Sequence, residues 1–440
     1  MLIEFRLKNY KSFGDDAILS LVPAPKQKGL DYSLLTKRIG RKIYKSVCSA
    51  VIYGPNASGK TNIIGAMETF KNIIIRGDIR DRKDMKSLNA ASTMLALIPN
   101  QALKGLPVSL GITFITDGFL ADYDIKLDLG NFLDDDYQRM ILNETLRLNN
   151  FQIFTRDRNT LSVDTDNLKR FRKYLLNDFN ENIESAVKLA QNSLNSAELF
   201  LKNGFKTMFS PKITSLLSDW FEEKFNVIYH SALLRPTEFS DLNIMNEIVH
   251  QLGLNSIIMK YHSDKDKEKN EKLYSAFTDE TGSIKKGVLS EAYESYGTIR
   301  LINLLPMIIS VMKSGGVLVA DELDASIHPK ILMNIINIFH DSSINVNKAQ
   351  LIFNTHNPVF LNHNLFRRDE IKFTEINESS GNSTLYSLSD FGTEGRFGVR
   401  RNEDYMKEYF VDKYGAICDV DFSSMLRIML GLEATKHDEK

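Results

Sequence analysis

The chain has 440 residues, 43% of them hydrophobic, and its 55 Lys plus Arg against 56 Asp plus Glu give a net charge of −1. That length suggests about three domains, with apolar content ample for sizeable cores, while the even balance excludes a molecule-wide field that would draw the chain onto nucleic acid. Two cysteines, Cys48 and Cys418, give no support for a disulfide framework and read as inert thiols.

No stretch approaches the roughly 18 uninterrupted apolar residues needed to span a bilayer. The first residues lack the basic and apolar regions of a signal peptide, so a soluble, cytoplasmic chain is expected. Residues 2–13 alternate apolar and polar as a half-buried strand should, then turn at Gly14. Two basic clusters follow: Lys37, Arg38, Arg41, Lys42 and Lys45, and then Arg76, Arg80, Arg82, Lys83 and Lys86, the second diluted by Asp78, Asp81 and Asp84. Charge clusters of this kind usually form solvated surface, so nucleic-acid binding is possible but not indicated.

Between the two clusters an apolar run at 47–53 leads into Gly54, Pro55, Asn56, Ala57, Ser58, Gly59, Lys60 and Thr61, and a helix-like stretch at 62–70 comes next. Strand, glycine-bounded loop and helix in that order form a complete phosphate-binding loop. Gly54 and Gly59 let the backbone approach a ligand, loop N–H groups cradle phosphates, Lys60 reaches the β and γ oxygens, and the Thr61 hydroxyl is placed to ligate Mg²⁺. The pattern predicts ATP and Mg²⁺ binding.

Two β-rich runs within 108–128 flank Thr116, Asp117 and Gly118 and read as a hairpin, completing an antiparallel layer on the first half. From 168 to 208 the apolar spacing turns helical, through Leu168, Phe171, Leu175, Phe179, Ile183 and Val187. A further partly helical run covers 246–261, and the charged stretch 262–271 reads as an exposed loop or hairpin tip. No sustained heptad pattern is present, so the expected organisation is a first half at 1–149, a mainly helical insertion at 150–285 and a second half at 286–440.

In that second half, Gly315 to Val319 and Ala320 form a continuous apolar run ending in Asp321 and Glu322, as a strand buried on both faces would. Asp321 suits the Mg²⁺ shell, and Glu322 suits a general base acting on the attacking water. After a helical stretch at 330–339, a second buried strand at 349–356 ends in Asn354, Thr355 and His356. Ser295, Gly297 and Thr298 sit upstream, where donors at a helix N-terminus favour phosphate oxygens, although the same residues also cap ordinary helices.

This order of motifs resembles the ABC-type ATPase head: an α/β fold with a mixed sheet around the phosphate loop, an antiparallel β layer and here a helical insertion lobe. The Ser-x-Gly-Thr form at 295–298 is similar to that of soluble members containing RecF, SMC proteins and the overcoming-lysogenization-defect (OLD) nucleases, and Asn9, Lys11, Ser12 and Phe13 resemble the opening of RecF and SMC heads. The resemblance implies that His356 is the switch histidine touching the γ-phosphate and that Asp324 lies in the loop linking two heads. It also implies a homodimer or higher oligomer through the heads, in which Ser295, Gly297 and Thr298 complete the ATP site of the other copy. A glutamine loop belongs to the family pattern, and Gln101 lies in suitable territory without diagnostic flanks.

Residues 366–373, 385–391 and 414–417 resemble the tail of the RloA-like group of bacterial ATPases linked to abortive infection and restriction loci, with Glu370 where that group usually has Gln. The group implies an ATPase that senses for, or regulates, a separately encoded effector, possibly a nuclease, in anti-phage defence. A RecF/SMC-like DNA repair ATPase is the alternative. A self-contained nuclease is disfavoured, because too few residues follow His356 for its metal module and Asp419 with Asp421 read as surface carboxylates.

Overall fold

The computed structural model describes residues 1–430 except 26, 28, 81–94, 117, 133, 135, 136, 177–182, 230–241, 252–257, 264–270, 278–280, 282, 284–286, 394–397 and 418–421. Outside the described residues therefore lie Arg82, Lys83 and Lys86 of the second basic cluster, the tip of the charged stretch, Cys418, Asp419, Asp421 and the polar tail. In chain order the strands are β1 (Leu2–Lys8), β2 (Ala17–Ser20), β3 (Leu34–Ile39), β4 (Lys42–Val47), β5 (Ser49–Tyr53), β6 (Val108–Thr116), β7 (Phe119–Asp128), β8 (Met140–Leu148), β9 (Phe151–Asp157) and β10 (Thr160–Val163). They continue with β11 (Phe225–Ile228), β12 (Ile258–Ser263), β13 (Glu271–Ala276), β14 (Val288–Leu289), β15 (Val317–Ala320), β16 (Gln350–Asn354), β17 (Ile371–Ile376) and β18 (Ser383–Ser387).

Two large sheets carry the fold. One is antiparallel throughout, in the order β10-β9-β8-β7-β6-β1-β2. The strand at the N-terminus alternates as its sequence predicts: Leu2, Phe5 and Leu7 are buried, while the guanidinium of Arg6 is held by Glu4, Asp122 and Asp124 at 2.8, 2.6 and 2.8 Å. β6 and β7 form the expected hairpin.

The second sheet runs β11-β15-β16-β5-β17-β18 and is parallel from β11 to β17, with β18 antiparallel at its edge. Successive side chains of a strand face opposite ways, so a parallel sheet covered on both faces needs apolar residues at every position. The central strands follow this, with polar residues such as Ser49, Gln350 and Asn354 at their ends. Ala50, Ile52, Val317, Val319 and Ile352 pack toward the antiparallel sheet, while Val51, Tyr53, Leu318, Ala320, Leu351 and Phe353 pack away from it.

Helix Lys60–Arg76 lies between the sheets, and its Ile63, Met67, Phe70 and Ile74 belong to the shared core. On the far face, helices Tyr296–Ser314 and Pro329–His340 contribute Leu301, Leu304, Ile308, Leu332, Ile336 and Phe339. The buried Gln350 side chain stitches the layers together, accepting from Leu2 N at 2.6 Å and donating to Ser46 Oγ at 2.8 Å. Among the described residues no helix is long and apolar enough to cross a membrane.

The expected division of the chain needs correction. Both boundaries of the anticipated insertion fall inside sheets: β9 pairs with β8 across residue 150, and β14 pairs with β13 across residue 286. The stretch 150–285 holds β9 to β13 among its helical segments, the longest of them Ile183–Asn192, Pro211–Asp219 and Leu242–Gln251, and β11 joins the core sheet itself. The local reason is at Asn149 and Asn150, both with positive φ (53° and 69°), the two-residue hairpin chemistry that folds β9 back on β8.

Phe353→Ala empties a fully buried position on a strand covered on both faces, and the expected loss is about 3–5 kcal/mol. Urea unfolding checks this; a loss below about 1 kcal/mol would contradict double coverage of β16.

Candidate functional site

All the strand ends that matter lie at one edge of the parallel sheet, because parallel strands entering from the same side present their C-terminal tips together. The loop after β5 is shaped by backbone constraints. Ala57 and Gly59 have φ of 65° and 104°, and a Cβ at Gly54 would lie 2.4 Å from the Thr374 carbonyl oxygen and 2.5 Å from Ser58 Oγ. Ser58 Oγ and Thr374 Oγ1 are 2.6 Å apart, which ties the loop to β17, and Asn62 Nδ2 donates to Ser12 Oγ at 2.8 Å from the other side.

Lys60 is only 4% exposed, and its ammonium donates to the carbonyls of Gly54 and Pro55, at 2.8 Å each. Burial pulls its pKa down to about 8, against the opposing fields of Asp321 and Glu322. The loop thus holds a desolvated cation under a concave run of backbone, a setting that favours an anionic ligand.

One oxygen of Asp321 joins distant parts of the chain. It accepts from Thr61 Oγ1 at 3.0 Å and from Asn354 Nδ2 at 2.6 Å. The other end of the Asn354 amide accepts the Glu322 N–H at 2.5 Å, so a single side chain on β16 fixes both residues after β15. Glu322 has a φ of 48°, which turns its exposed side chain out of the strand direction. Thr355 Oγ1 donates to Asp324 at 2.7 Å, and the turn closes through Ile327 N to Asp324 O at 3.0 Å. His356 lies at the surface beside these groups; partial desolvation of its ring lowers its pKa, Lys60 lowers it further, and Glu322, Asp324 and Asp321 oppose the shift.

Of the residues singled out in the sequence, 54–61, Asp321, Glu322, Asp324 and His356 are therefore brought together. Ser295, Gly297 and Thr298 are positioned differently. Ser295 caps helix Tyr296–Ser314, accepting from Thr298 N at 3.1 Å, and a Cβ at Gly297 would fall 2.2 Å from the Ser326 carbonyl oxygen. Arg300 Nη2 donates to Glu322 O at 2.5 Å. This helix start contacts the turn at 322–326. Gln101 is exposed at a surface recess that it shares with Lys11, Ser12 and Asn382.

The roles of three contributors, Asn354, Lys11 and Tyr229, are not marked in the sequence. Asn354 was visible only as part of a motif. Lys11, whose φ is 49°, donates to Tyr229 OH at 3.0 Å, and both feel the charge of Asp321, although residues 11 and 229 carry no pattern that links them. The donor set suits a hard divalent cation: the Thr61 hydroxyl and Asp321 carboxylate offer oxygen only, 3.0 Å apart.

A family model described as AAA domain, putative AbiEii toxin, Type IV TA system matches residues 49–362, a span that includes the loop, the acidic strand and His356. Among solved structures, one described as the crystal structure of the SmcHead bound to the C-winged helix domain of ScpA is 14% identical, with 88% of this chain and 97% of that chain covered and a TM-score of 0.38. The SMC head domain from Thermotoga maritima is 14% identical, with 88% and 98% covered and a TM-score of 0.36. No curated protein matches the chain.

Asn354→Leu leaves the Glu322 N–H without its acceptor and is expected to cost about 1–3 kcal/mol. Asn354→Asp keeps an acceptor but sets a second carboxylate against Asp321, so its melting temperature should fall further at about pH 7 than at about pH 4. Melting curves for Asn354→Leu that overlay the parent's would remove Asn354 from its bracing role.

Proposed function

The chain belongs to this family of AAA domains, and from that membership we propose that it binds and hydrolyses ATP as an ABC-type head, pairs with a second copy through its heads, and regulates a separately encoded effector in anti-phage defence. The observation that carries the reading is the Thr61–Asp321–Asn354 contact, which sets a phosphate-loop hydroxyl against the acidic strand across 260 residues of chain.

In this reading Gly54, Pro55, Asn56, Ala57, Ser58 and Gly59 offer backbone to the phosphates, and Lys60 supplies the positive charge. Thr61 and Asp321 hold Mg²⁺, which when bound neutralises charge on the phosphate oxygens. Glu322 takes the proton of the attacking water. Its reversed backbone, fixed through Asn354, frees the carboxylate from the strand to face solvent. His356 meets the γ-phosphate, its pKa lowered by partial desolvation and by Lys60 against the opposing fields of Glu322, Asp324 and Asp321.

Ser295, Gly297 and Thr298, at a helix start that packs on the 322–326 turn, serve the nucleotide of the second copy. The turn carrying Asp324 lies directly against that helix start, through Gly297 and Ser326, and forms the rest of the joint between heads. The effector assignment is supported by the tail at 366–373 and 385–391, whose resemblance is to ATPases of abortive-infection loci.

Lys60→Ala should abolish ATP binding, and Glu322→Gln should lower turnover by about 10²-fold or more while trapping an ATP-dependent dimer. Nucleotide titration together with light scattering reads both; normal turnover in Glu322→Gln would displace it as the base. The effector reading is tested by co-expressing the chain with the product of the adjacent gene and following phage plating with parent and Lys60→Ala chains. Protection that survives Lys60→Ala would sever ATP from that role.

The Lys60 ammonium, near pKa 8 in the free protein, is stabilised by bound phosphate, so its pKa rises on binding. Below about pH 7 it is already protonated and binding moves no proton; near pH 9 binding should take up close to one, and affinity should fall up to about tenfold per pH unit above 8. Calorimetry in buffers of different ionisation enthalpy measures this uptake, and equal uptake at both pH values would refute it.

A further inference from the structure

At the opposite ends of the same parallel strands, Cys48, His340 and Glu370 meet in a wholly buried cluster. Cys48 directly precedes β5, Glu370 directly precedes β17, and His340 ends helix Pro329–His340. Glu370 Oε1 lies 3.8 Å from Cys48 Sγ and 3.2 Å from His340 Nε2, and the three donor atoms all fall within 4.8 Å of one another. Ser49 Oγ is the fourth polar atom, 2.7 Å from Oε1 and 3.0 Å from Nε2. We propose that Cys48 Sγ, His340 Nε2 and Glu370 Oε1 form a structural site for a zinc-type divalent cation, with the Ser49 hydroxyl at its fourth corner.

The spacing is the first argument. Metal bonds of about 2.3 Å to sulfur and about 2.0–2.2 Å to nitrogen and oxygen place tetrahedral corners about 3.4–3.6 Å apart. The observed 3.8 and 3.2 Å straddle that range, while Ser49 Oγ, at 2.7 and 3.0 Å from its neighbours, must move outward by about 0.4–0.9 Å to reach its corner. The ligand types agree, since a thiolate, an imidazole and a carboxylate at tetrahedral spacing select zinc over the oxygen-seeking Mg²⁺ of the nucleotide loop.

Charge is the second argument. A thiolate, a carboxylate and a neutral imidazole cancel a divalent cation, which is the condition for burying an ion where no water reaches it. Without a cation, Ser49, His340 and Cys48 all converge on one carboxylate oxygen, the other oxygen being taken by Arg367 N at 2.8 Å. A small cation replaces that convergence with direct bonds. The imidazole ring is set by packing between Tyr32 and Phe366, each at 5.9 Å between centroids, while Nδ1 has no hydrogen-bond partner among the described residues. Binding releases the Cys48 proton, which burial otherwise holds firmly on the sulfur. The cation would then staple the strand that feeds the phosphate loop to β17 and to the helix that follows the acidic turn.

The test uses the full chain stripped with a chelator and titrated with Co²⁺. About one equivalent should bind, with a thiolate-to-cobalt charge-transfer band that Zn²⁺ displaces. The band should vanish in Cys48→Ala and persist in Asp321→Asn, whose site offers only oxygen. Glu370→Gln, which keeps partners for Ser49 and Arg367 N and so keeps the fold, should weaken cobalt binding about tenfold or more. A parent chain without the band refutes the site and leaves a hydrogen-bonded cluster only. A band that survives Cys48→Ala refutes it also, by assigning the thiolate to Cys418.

Discussion

A single carboxylate oxygen organises the candidate site. Asp321 Oδ1 accepts from Thr61 at the start of the phosphate-loop helix and from Asn354 at the tip of β16, joining three segments that are remote in sequence. Hydrogen bonds to an ionised acceptor are the stronger kind, and these sit partly shielded from water, where competition from solvent is weakest. The Asn354 amide spends its other end on the Glu322 N–H, so the position of the next carboxylate follows from the first. The loop, the acidic turn and the end of β16 are in effect one hydrogen-bonded unit.

That unit exists because the sheet beneath it is parallel. Five strands enter from the same side, β5, β15 and the centre of β16 apolar on both faces, and their tips converge where the connections to helices begin. The antiparallel sheet closes one side of helix Lys60–Arg76, and the two helices on the far face close the other side of the sheet. Gln350 keeps the two sheets in register from within the core, with every polar atom of its amide partnered. The nucleotide loop is therefore fixed from below by Thr374, from the side by Ser12 and from above by the acidic strand.

The helix start at 295–298 is continuous with this unit. Gly297 lets backbone meet backbone at Ser326, and Arg300 reaches the Glu322 carbonyl, so the surface proposed to face a second copy is braced on the turn that carries the proposed base. The buried Cys48, His340 and Glu370 cluster braces the other ends of β5 and β17. Both ends of the strand that feeds the phosphate loop are thus anchored by side chains from distant segments.

Local chemistry determined much of this. The glycine-bounded loop needs two backbone approaches and a Lys-Thr pair at fixed spacing, and strands buried on both faces are largely apolar, so 47–61, 315–322 and 349–356 were legible from the sequence as strands that end in one shared site. The β6–β7 hairpin was legible from alternation and its turn. Tertiary structure alone decided the rest. Alternation at 151–163 is too short and polar to compete with the helical spacing beyond it, so the continuation of the antiparallel sheet past Asn149 and Asn150 was read as insertion, and β11 is too short to announce that it joins the core. Lys11, Tyr229 and the amide of Asn354 act through contacts over tens to hundreds of residues, which no local spacing encodes. The same holds for Cys48, His340 and Glu370: separately they are a thiol, a helix-end histidine and one acid in a charged run, and only the pairing of β5 with β17 and the packing of helix Pro329–His340 against β5 make them neighbours.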